Sequence, residues 1–503
     1  MNKLIFLGLD GATWNQFDKF LSSKSMPNLS KLLSEGTKGQ LLSTFPFTSR
    51  TSWISMLTGV NPGKHGIPHH IVGGQQELPS IWELLAKEKK VIVVNDIVTF
   101  PPIEINGIMI TGGFSTPPNS RNFVYPKSIL TELDSITGGY IPSLDSSFMK
   151  LIKNNQHEEA FLQLQEYGEK FVKTSFYLSK KYPWEVLSTT LENSDYIHHF
   201  FWDKPLYLGK FYKWLDKIIG DYHQLAKANN ANLVIASDHG FGPIKKHFLI
   251  NSWLRKSNLS NFKSVGKIRK FIGKSNVNRS LVRKGLDKLH LRALASKYTP
   301  SEMKKIIPLE KNEVGYIDEN SLVFSEAYNE ITIKPVNEIN RKEITEKVIR
   351  ELLELEDDGK KIVKEIHKRE EIFHGPYVDR AYDLQMLLTE GYCWSPAIRE
   401  KFILSPEEFN KTRMADHRPE GIFIFAGPDI NSNDTLYSAK IWDIFPTLLH
   451  ISGLLIPSYV DGKIIKDVFK PNSILFKKQP RITKSEKESI KDKILQKRNK
   501  LTI

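Results

Sequence analysis

Cysteine is almost absent from this 503-residue chain, Cys393 being the only one. An intrachain disulfide is therefore excluded, which fits a reducing, cytoplasmic setting. Long apolar runs are missing too. No stretch approaches the roughly 18–20 residues that span a bilayer, so a transmembrane helix is not expected. The first residues, MNKLIFLGLDGATW, hold only a short apolar run that an acid soon interrupts. No small-residue cleavage site follows, so a signal peptide is not expected either. Acids are scarce where bases crowd. Between Arg255 and Lys297 stand thirteen Lys and Arg against one acid, Asp287, and most of the net charge of +14 lies there. The tail after Phe476 is also lysine-rich.

Such basic blocks attract phosphate-bearing partners, or they are simply solvated helical surfaces. Phe262, Val265, Ile268, Phe271 and Ile272 recur at helical intervals among the lysines. That spacing suits a lid over an anionic substrate or an amphipathic anchor on an anionic membrane, making the protein membrane-peripheral. Nucleic acid ranks below these as a partner of the 255–297 segment.

What the chain does have is an ordinary globular composition, 40% hydrophobic, at a length that implies more than one simple core. Buried-strand signals at Leu4–Leu9, Lys90–Asn95, Ile108–Ile110, Val186–Leu191 and Leu233–Ala236 alternate with amphipathic helices near Glu158–Ser179 and Lys210–Lys227. This alternation predicts an α/β fold with a mainly parallel sheet covered on both faces. Ligands of such sheets bind beyond the carboxyl ends of the strands. From about Leu254 to Thr412 the texture changes, with an extended segment at Glu330–Ile333 and helical spacing at Ile344–Leu355. Strand and helix signals return at Gly421–Ala426 and Ile441–Ile451. The expected organisation is a catalytic domain over 1–253 and 413–476, an inserted lid over 254–412 and a basic tail over 477–503.

Acids and histidines stand where strand signals stop. Asp10 follows LIFLGL, Asp195 and His199 follow the strand ending at Leu191, Asp238 and His239 follow VIAS, and His417 precedes GIFIFA. VIASDHGFGP reads as a core strand that breaks at a sharp turn. Taken singly, an acid after a strand is more often a helix cap or turn former. Together, three acids and three histidines on one rim form an oxygen–nitrogen ligand set for zinc or similar ions, in numbers that suit two. The four-residue spacing of Asp195 and His199 puts both on one face of a helix. In STFPFTSRTSW, Pro46 halts any preceding helix and Ser49 opens one running to Leu57. A hydroxyl there lies where N–H groups and the helix dipole favour an anion.

The chain resembles the type I phosphodiesterases/nucleotide pyrophosphatases of the alkaline phosphatase superfamily. The pieces that carry the resemblance are GLDGATW, STFPFTSRTSW with TGVNPGKHGI, ENSDYIHHFFW, ASDHGFGP, EEIFHGPYVDRAYDL, HRPEGIFIFAGPDI and IWDIFPTLLHISGLLIPSYVDGK, in the family's order. The resemblance implies an alkaline-phosphatase-like three-layer sandwich. It implies two divalent metal ions, zinc or alternatively manganese. One would be surrounded by Asp10, Ser49, Asp238 and His239, the other held by Asp195, His199 and His417. Ser49 matches the nucleophile, with adjacent Thr48 as second choice, and a phosphoserine would form on it. Phosphate esters or pyrophosphates would be the substrates.

One position departs from the family pattern. His70 stands where many of these phosphodiesterases carry a phosphate-binding Asn, which leaves diester and monoester substrates both open. Arg50 is a further candidate phosphate contact. A sulfatase is disfavoured, because Ser49-Arg50-Thr51-Ser52-Trp53 lacks the required Pro and final Arg. Phosphomonoesterases, phosphomutases and head-group transferases share the ligand set. A non-catalytic protein docking on membrane or nucleic acid would not need all seven ligands.

Overall fold

The computed structural model describes residues 3–67, 78–260, 262–264, 315–317, 320–334, 338–409, 412–433 and 436–483. These residues fall into two compact units. The first comprises Met1–Pro243, Glu370–Ala381 and Lys411–Ile503; the second comprises Ile244–Arg369 and Tyr382–Asn410. His70, most of the 255–297 basic segment and the tail beyond 483 lie outside the described residues. Among the described residues no helix is long and apolar enough to cross a membrane.

The first unit is built on a nine-stranded sheet. Its strands are β1 (Lys3–Leu9), β2 (Gly36–Leu42), β3 (Val91–Asp96), β4 (Gly107–Thr111), β5 (Val124–Tyr125), β6 (Val186–Leu191), β7 (Ala231–Ala236), β10 (Glu420–Ala426) and β11 (Leu436–Lys440). Two further strands of the chain are β8 (Gly240–Leu249) and β9 (Ala415–Arg418). The sheet order is β11-β2-β10-β7-β1-β6-β3-β4-β5. β1 pairs in parallel with both β6 and β7, and only β10 and β5 run against their neighbours.

Period-2 alternation along β1 assigns its residues to two cores. Ile5, Leu7 and Leu9 face one layer with Phe171, Leu178, Leu215 and Ile219 from the long helices His157–Lys181 and Pro205–Ala228. Leu4 and Phe6 face the other layer with Trp53, Leu57, Phe445 and Leu449, from helices Ser49–Thr58 and Ile444–Ser452. The result is three layers, helices over both faces of a mainly parallel sheet, as the strand–helix alternation predicts. β6 spans the predicted Val186–Leu191 without change, and the predicted helices extend by a few residues at their ends.

The second unit has its own core of Phe248, Trp253, Leu254, Ile331, Val348, Ile362, Leu384 and Met386. Glu330–Ile333 is a strand, paired antiparallel with Leu384–Leu388, and a helix covers Glu338–Glu354. Phe262 corrects the helical spacing read through the basic segment. It sits in the strand Phe262–Ser264, paired antiparallel with Gly315–Ile317.

A second correction concerns the opening of β8. The glycines after Asp238-His239 do not make a sharp turn. Gly240 begins strand β8, whose first four residues pair antiparallel with β9. Glycine is required because a Cβ at 240 would lie 2.0 Å from the Glu420 carbonyl oxygen. The signal was close approach of two backbones rather than turn geometry.

Candidate metal centre

The parallel strands of the first unit point one way, and their carboxyl ends bring the scattered acids and histidines together. Asp10 follows β1, the helix Asn193–Phe201 carries Asp195 and His199 after β6, and Asp238 and His239 follow β7. β9, held against β8, brings in His417. Two ligand groups result, Asp10 with Asp238 and His239, and Asp195 with His199 and His417. Within each group the ligand atoms lie within 4.8 Å of one another.

The first group is almost wholly sealed from solvent, with Asp10, Asp238 and His239 all buried. Gly11 N–H donates to Asp238 Oδ1 at 3.0 Å, and Trp53 Nε1–H donates to Asp10 Oδ2 at 3.2 Å. Asp238 Oδ2 is buried and accepts no hydrogen bond, although His239 Nε2 lies 3.2 Å away. Burial, with the repulsion of Asp238, Asp195 and Glu192, pushes the Asp10 carboxyl well above the ordinary range. Burial and Asp195 do the same to Asp238. Two buried carboxylates without a cation are costly, and a bound cation removes that cost.

The histidines share one arrangement. Nδ1 of His239 bonds to the Gly240 carbonyl at 3.1 Å, Nδ1 of His199 to the Ala415 carbonyl at 2.9 Å, and Nδ1 of His417 to the Phe47 carbonyl at 3.1 Å. A carbonyl only accepts, so each Nδ1 carries the hydrogen. In the neutral ring Nε2 is then a bare lone pair. Burial holds His239 well below the usual imidazole range and His199 at about 3, so both are neutral at physiological pH. The Nε2 atoms of all three rings turn inward. His199 Nε2 and His417 Nε2 stand 3.1 Å apart, and Asp195 Oδ1 lies 3.4 Å from the former and 3.2 Å from the latter. Carboxylate oxygens and imidazole nitrogens that converge in this way could hold a cation. Carbonyls fixing the outer nitrogen are its usual support. Burial raises the Asp195 carboxyl, but the nearby imidazoles of His199, His417 and His239 outweigh it and hold the group below its ordinary range. The ligand chemistry, carboxylate oxygen with imidazole nitrogen, fits zinc or manganese.

Ser49 is the first residue of the helix Ser49–Thr58, whose N-cap residue Thr48 makes no side-chain cap. Its Oγ donates to Asp10 Oδ1 at 3.2 Å and lies 3.2 Å from His239 Nε2. The Thr48 hydroxyl instead donates to Thr51 Oγ1 at 3.4 Å. Of the two candidate hydroxyls, Ser49 is therefore the one in the cluster. Arg50 follows on the same turn, half-buried, its guanidinium pushed down by that burial.

Sequence reasoning missed several supports. Trp53 lies one helical turn after Ser49, and that i,i+4 spacing was the available signal for a second side chain facing Asp10. Phe241 packs its ring against those of His199, His239 and His417, with centroids at 4.8, 5.6 and 5.0 Å. No sequence signal marked it.

A family model described as type I phosphodiesterase / nucleotide pyrophosphatase matches residues 4–401. The chain belongs to that family. The matched span includes Asp10, Ser49, Asp195, His199, Asp238 and His239, while His417 lies beyond it. Solved structures similar to this type I phosphodiesterase family member include murine ectonucleotide pyrophosphatase / phosphodiesterase 5, at 13% identity, covering 93% of this chain and 100% of that one, with a TM-score of 0.49. The human protein of the same name is similar at 14% identity, covering 94% and 100%, with a TM-score of 0.49. No curated protein matches the chain in sequence.

Proposed function

We propose that this protein hydrolyses phosphodiester or pyrophosphate bonds with Ser49 as nucleophile, in a site that holds two divalent cations, zinc by ligand type. Asp10, Asp238, His239 and the Ser49 oxygen would hold one, and Asp195, His199 and His417 the other. The observation that carries the reading is the place of Ser49 Oγ, 3.2 Å from both a carboxylate and an imidazole of one group, at a helix N-terminus. Bound cations supply charge neutralisation and a lowered hydroxyl pKa.

The chain's own groups do the rest. Asp10 Oδ1 accepts the hydroxyl hydrogen and leaves the lone pairs of Oγ for phosphorus. Oγ forms a bond to phosphorus, and the bond from phosphorus to the leaving oxygen breaks. The uncapped first turn of the helix directs N–H groups toward negative charge as it builds. The leaving oxygen takes a proton from solvent; water then bonds to phosphorus and gives a proton to solvent, the Oγ–P bond breaks, and Oγ recovers the hydrogen held at Asp10, which frees the serine. Arg50 and His70 are the proposed phosphate contacts.

The test is Ser49→Ala, assayed on a chromogenic phosphodiester with metal analysis of the purified protein. Turnover should fall by about a thousandfold or more. Metal content should persist, because six ionisable ligands remain. Full turnover by the variant would remove Ser49 from its role, and a metal-free, chelator-insensitive enzyme would remove the cations.

A further inference from the structure

The helix Asn193–Phe201 carries two ligands of one group, Asp195 and His199. The residue before each of them reaches the other group's strand. Ser194 Oγ donates to the Asp10 carbonyl at 2.6 Å. His198 Nδ1 donates to the Gly11 carbonyl at 3.0 Å. Both side chains are buried. The carbonyl of Asp10 and the N–H of Gly11 belong to one peptide group, and that N–H donates to Asp238 Oδ1. A continuous chain of bonds therefore runs from Ser194 through a single peptide to a ligand of the opposite group. Hydrogen bonds in series polarise one another, so a donor at the carbonyl strengthens the N–H at the far end.

His198 is itself held. Its Nδ1 faces a carbonyl and so carries the hydrogen, and Tyr212 O–H donates to Nε2 at 2.7 Å. The ring cannot turn without losing both partners. Gly11 has no room to move either: it sits at φ +70, and a Cβ there would lie 2.4 Å from Phe241 Cε2.

We propose that Ser194 and His198 are positioning residues that bind the helix of one cation site to the strand end of the other, so that the geometry of Asp10 and Asp238 is set from the Asp195–His199 helix. The inference rests on the cation-binding reading of the two groups. Outer partners of this kind commonly change metal affinity by about 10–100-fold.

The experiment measures zinc affinity of the full chain by competition with a chromogenic chelator. A His417→Ala background reports on the Asp10 group, and a Asp238→Asn background reports on the Asp195 group. Ser194→Ala and His198→Leu should each weaken zinc at the Asp10 group about tenfold or more, and leave the Asp195 group within about twofold. His198→Asn, whose amide nitrogen can occupy the place of Nδ1, should restore most of the loss. Equal affinities in all variants overturn the proposal, as does a His198→Asn as weak as His198→Leu. Should His198→Leu fail to fold, Tyr212→Phe removes one oxygen only. It should then weaken the Asp10 group alone, and an unchanged affinity overturns the proposal. A parent chain that binds no zinc overturns the cation reading itself, which separates the two failures.

Discussion

Replacing Asp238 by Asn should move stability in opposite directions with and without metal. The carboxylate oxygens of Asp10 and Asp238 used in the cluster lie within 4.8 Å of each other. At an effective dielectric near 20, two unit charges at that separation repel by about 3 kcal/mol. Asn keeps the oxygen that accepts from Gly11 N–H and places an amide nitrogen where Oδ2 accepts nothing. That nitrogen can donate to the His239 Nε2 lone pair, 3.2 Å from the present oxygen, a gain of about 1 kcal/mol. Where both carboxyls are ionised, the metal-stripped variant should therefore be more stable than the metal-stripped parent by about 4 kcal/mol, the relieved repulsion plus the new hydrogen bond, and by less at pH values where one of them carries a proton. In the presence of zinc the order should reverse, because the variant has lost an anionic ligand and the linkage stabilisation that tight binding provides. Denaturant titrations of stripped and zinc-loaded proteins measure both signs. A variant destabilised equally in the two states would refute the reasoning and make Asp238 an ordinary structural acid.

Glu330 provides a pH test in the second unit. It is fully buried opposite Gln385, whose Nε2 donates to Glu330 Oε1 at 2.7 Å, while Glu330 Oε2 and Gln385 Oε1 both lack a partner. A proton on Oε2 supplies the missing donor, and burial pushes this carboxyl well above its ordinary value. A raised folded value stabilises below the unfolded pKa of about 4.3 and loses that contribution as pH rises through the folded value. Glu330→Gln should flatten this decline and gain about 1–3 kcal/mol near pH 8. Urea unfolding near pH 5 and pH 8 checks it; an unchanged pH slope contradicts it. Gly11→Ala should cost about 2–4 kcal/mol, since it combines a left-handed φ with a collision at Phe241. Thermal melting would show the loss, and a melting temperature within a degree or so of the parent would count against it.

The sheet was legible because buried parallel strands read as apolar runs: LIFLGL in β1 and LVIA in β7 are such runs, while in β6 the apolar residues Val186, Leu187 and Leu191 bracket Ser188, Thr189 and Thr190. The convergence of Asp10, Asp195 and Asp238 was legible because they stand one, four and two residues beyond the ends of β1, β6 and β7, where topology places binding sites. β2 escaped notice: GTKGQLL lacks a branched apolar run, and its place comes from pairing with β10 and β11. The supports of the site escaped for a related reason. Ser194 and His198 act through hydrogen bonds to Asp10 and Gly11, and no local spacing encodes a partner 184 or 187 residues away.

β10 lies between β2 and β7 in the middle of the sheet, although it is among the last strands in the chain. Until residue 426 has been made, β7 has a bare edge and β2 has neither of its sheet neighbours, a hazard for sticking to other chains. His417 arrives with the same late segment. The strand that joins β2 to the rest of the sheet and the third member of the Asp195–His199 group are therefore made together, ahead of β11 and the helix Ile444–Ser452.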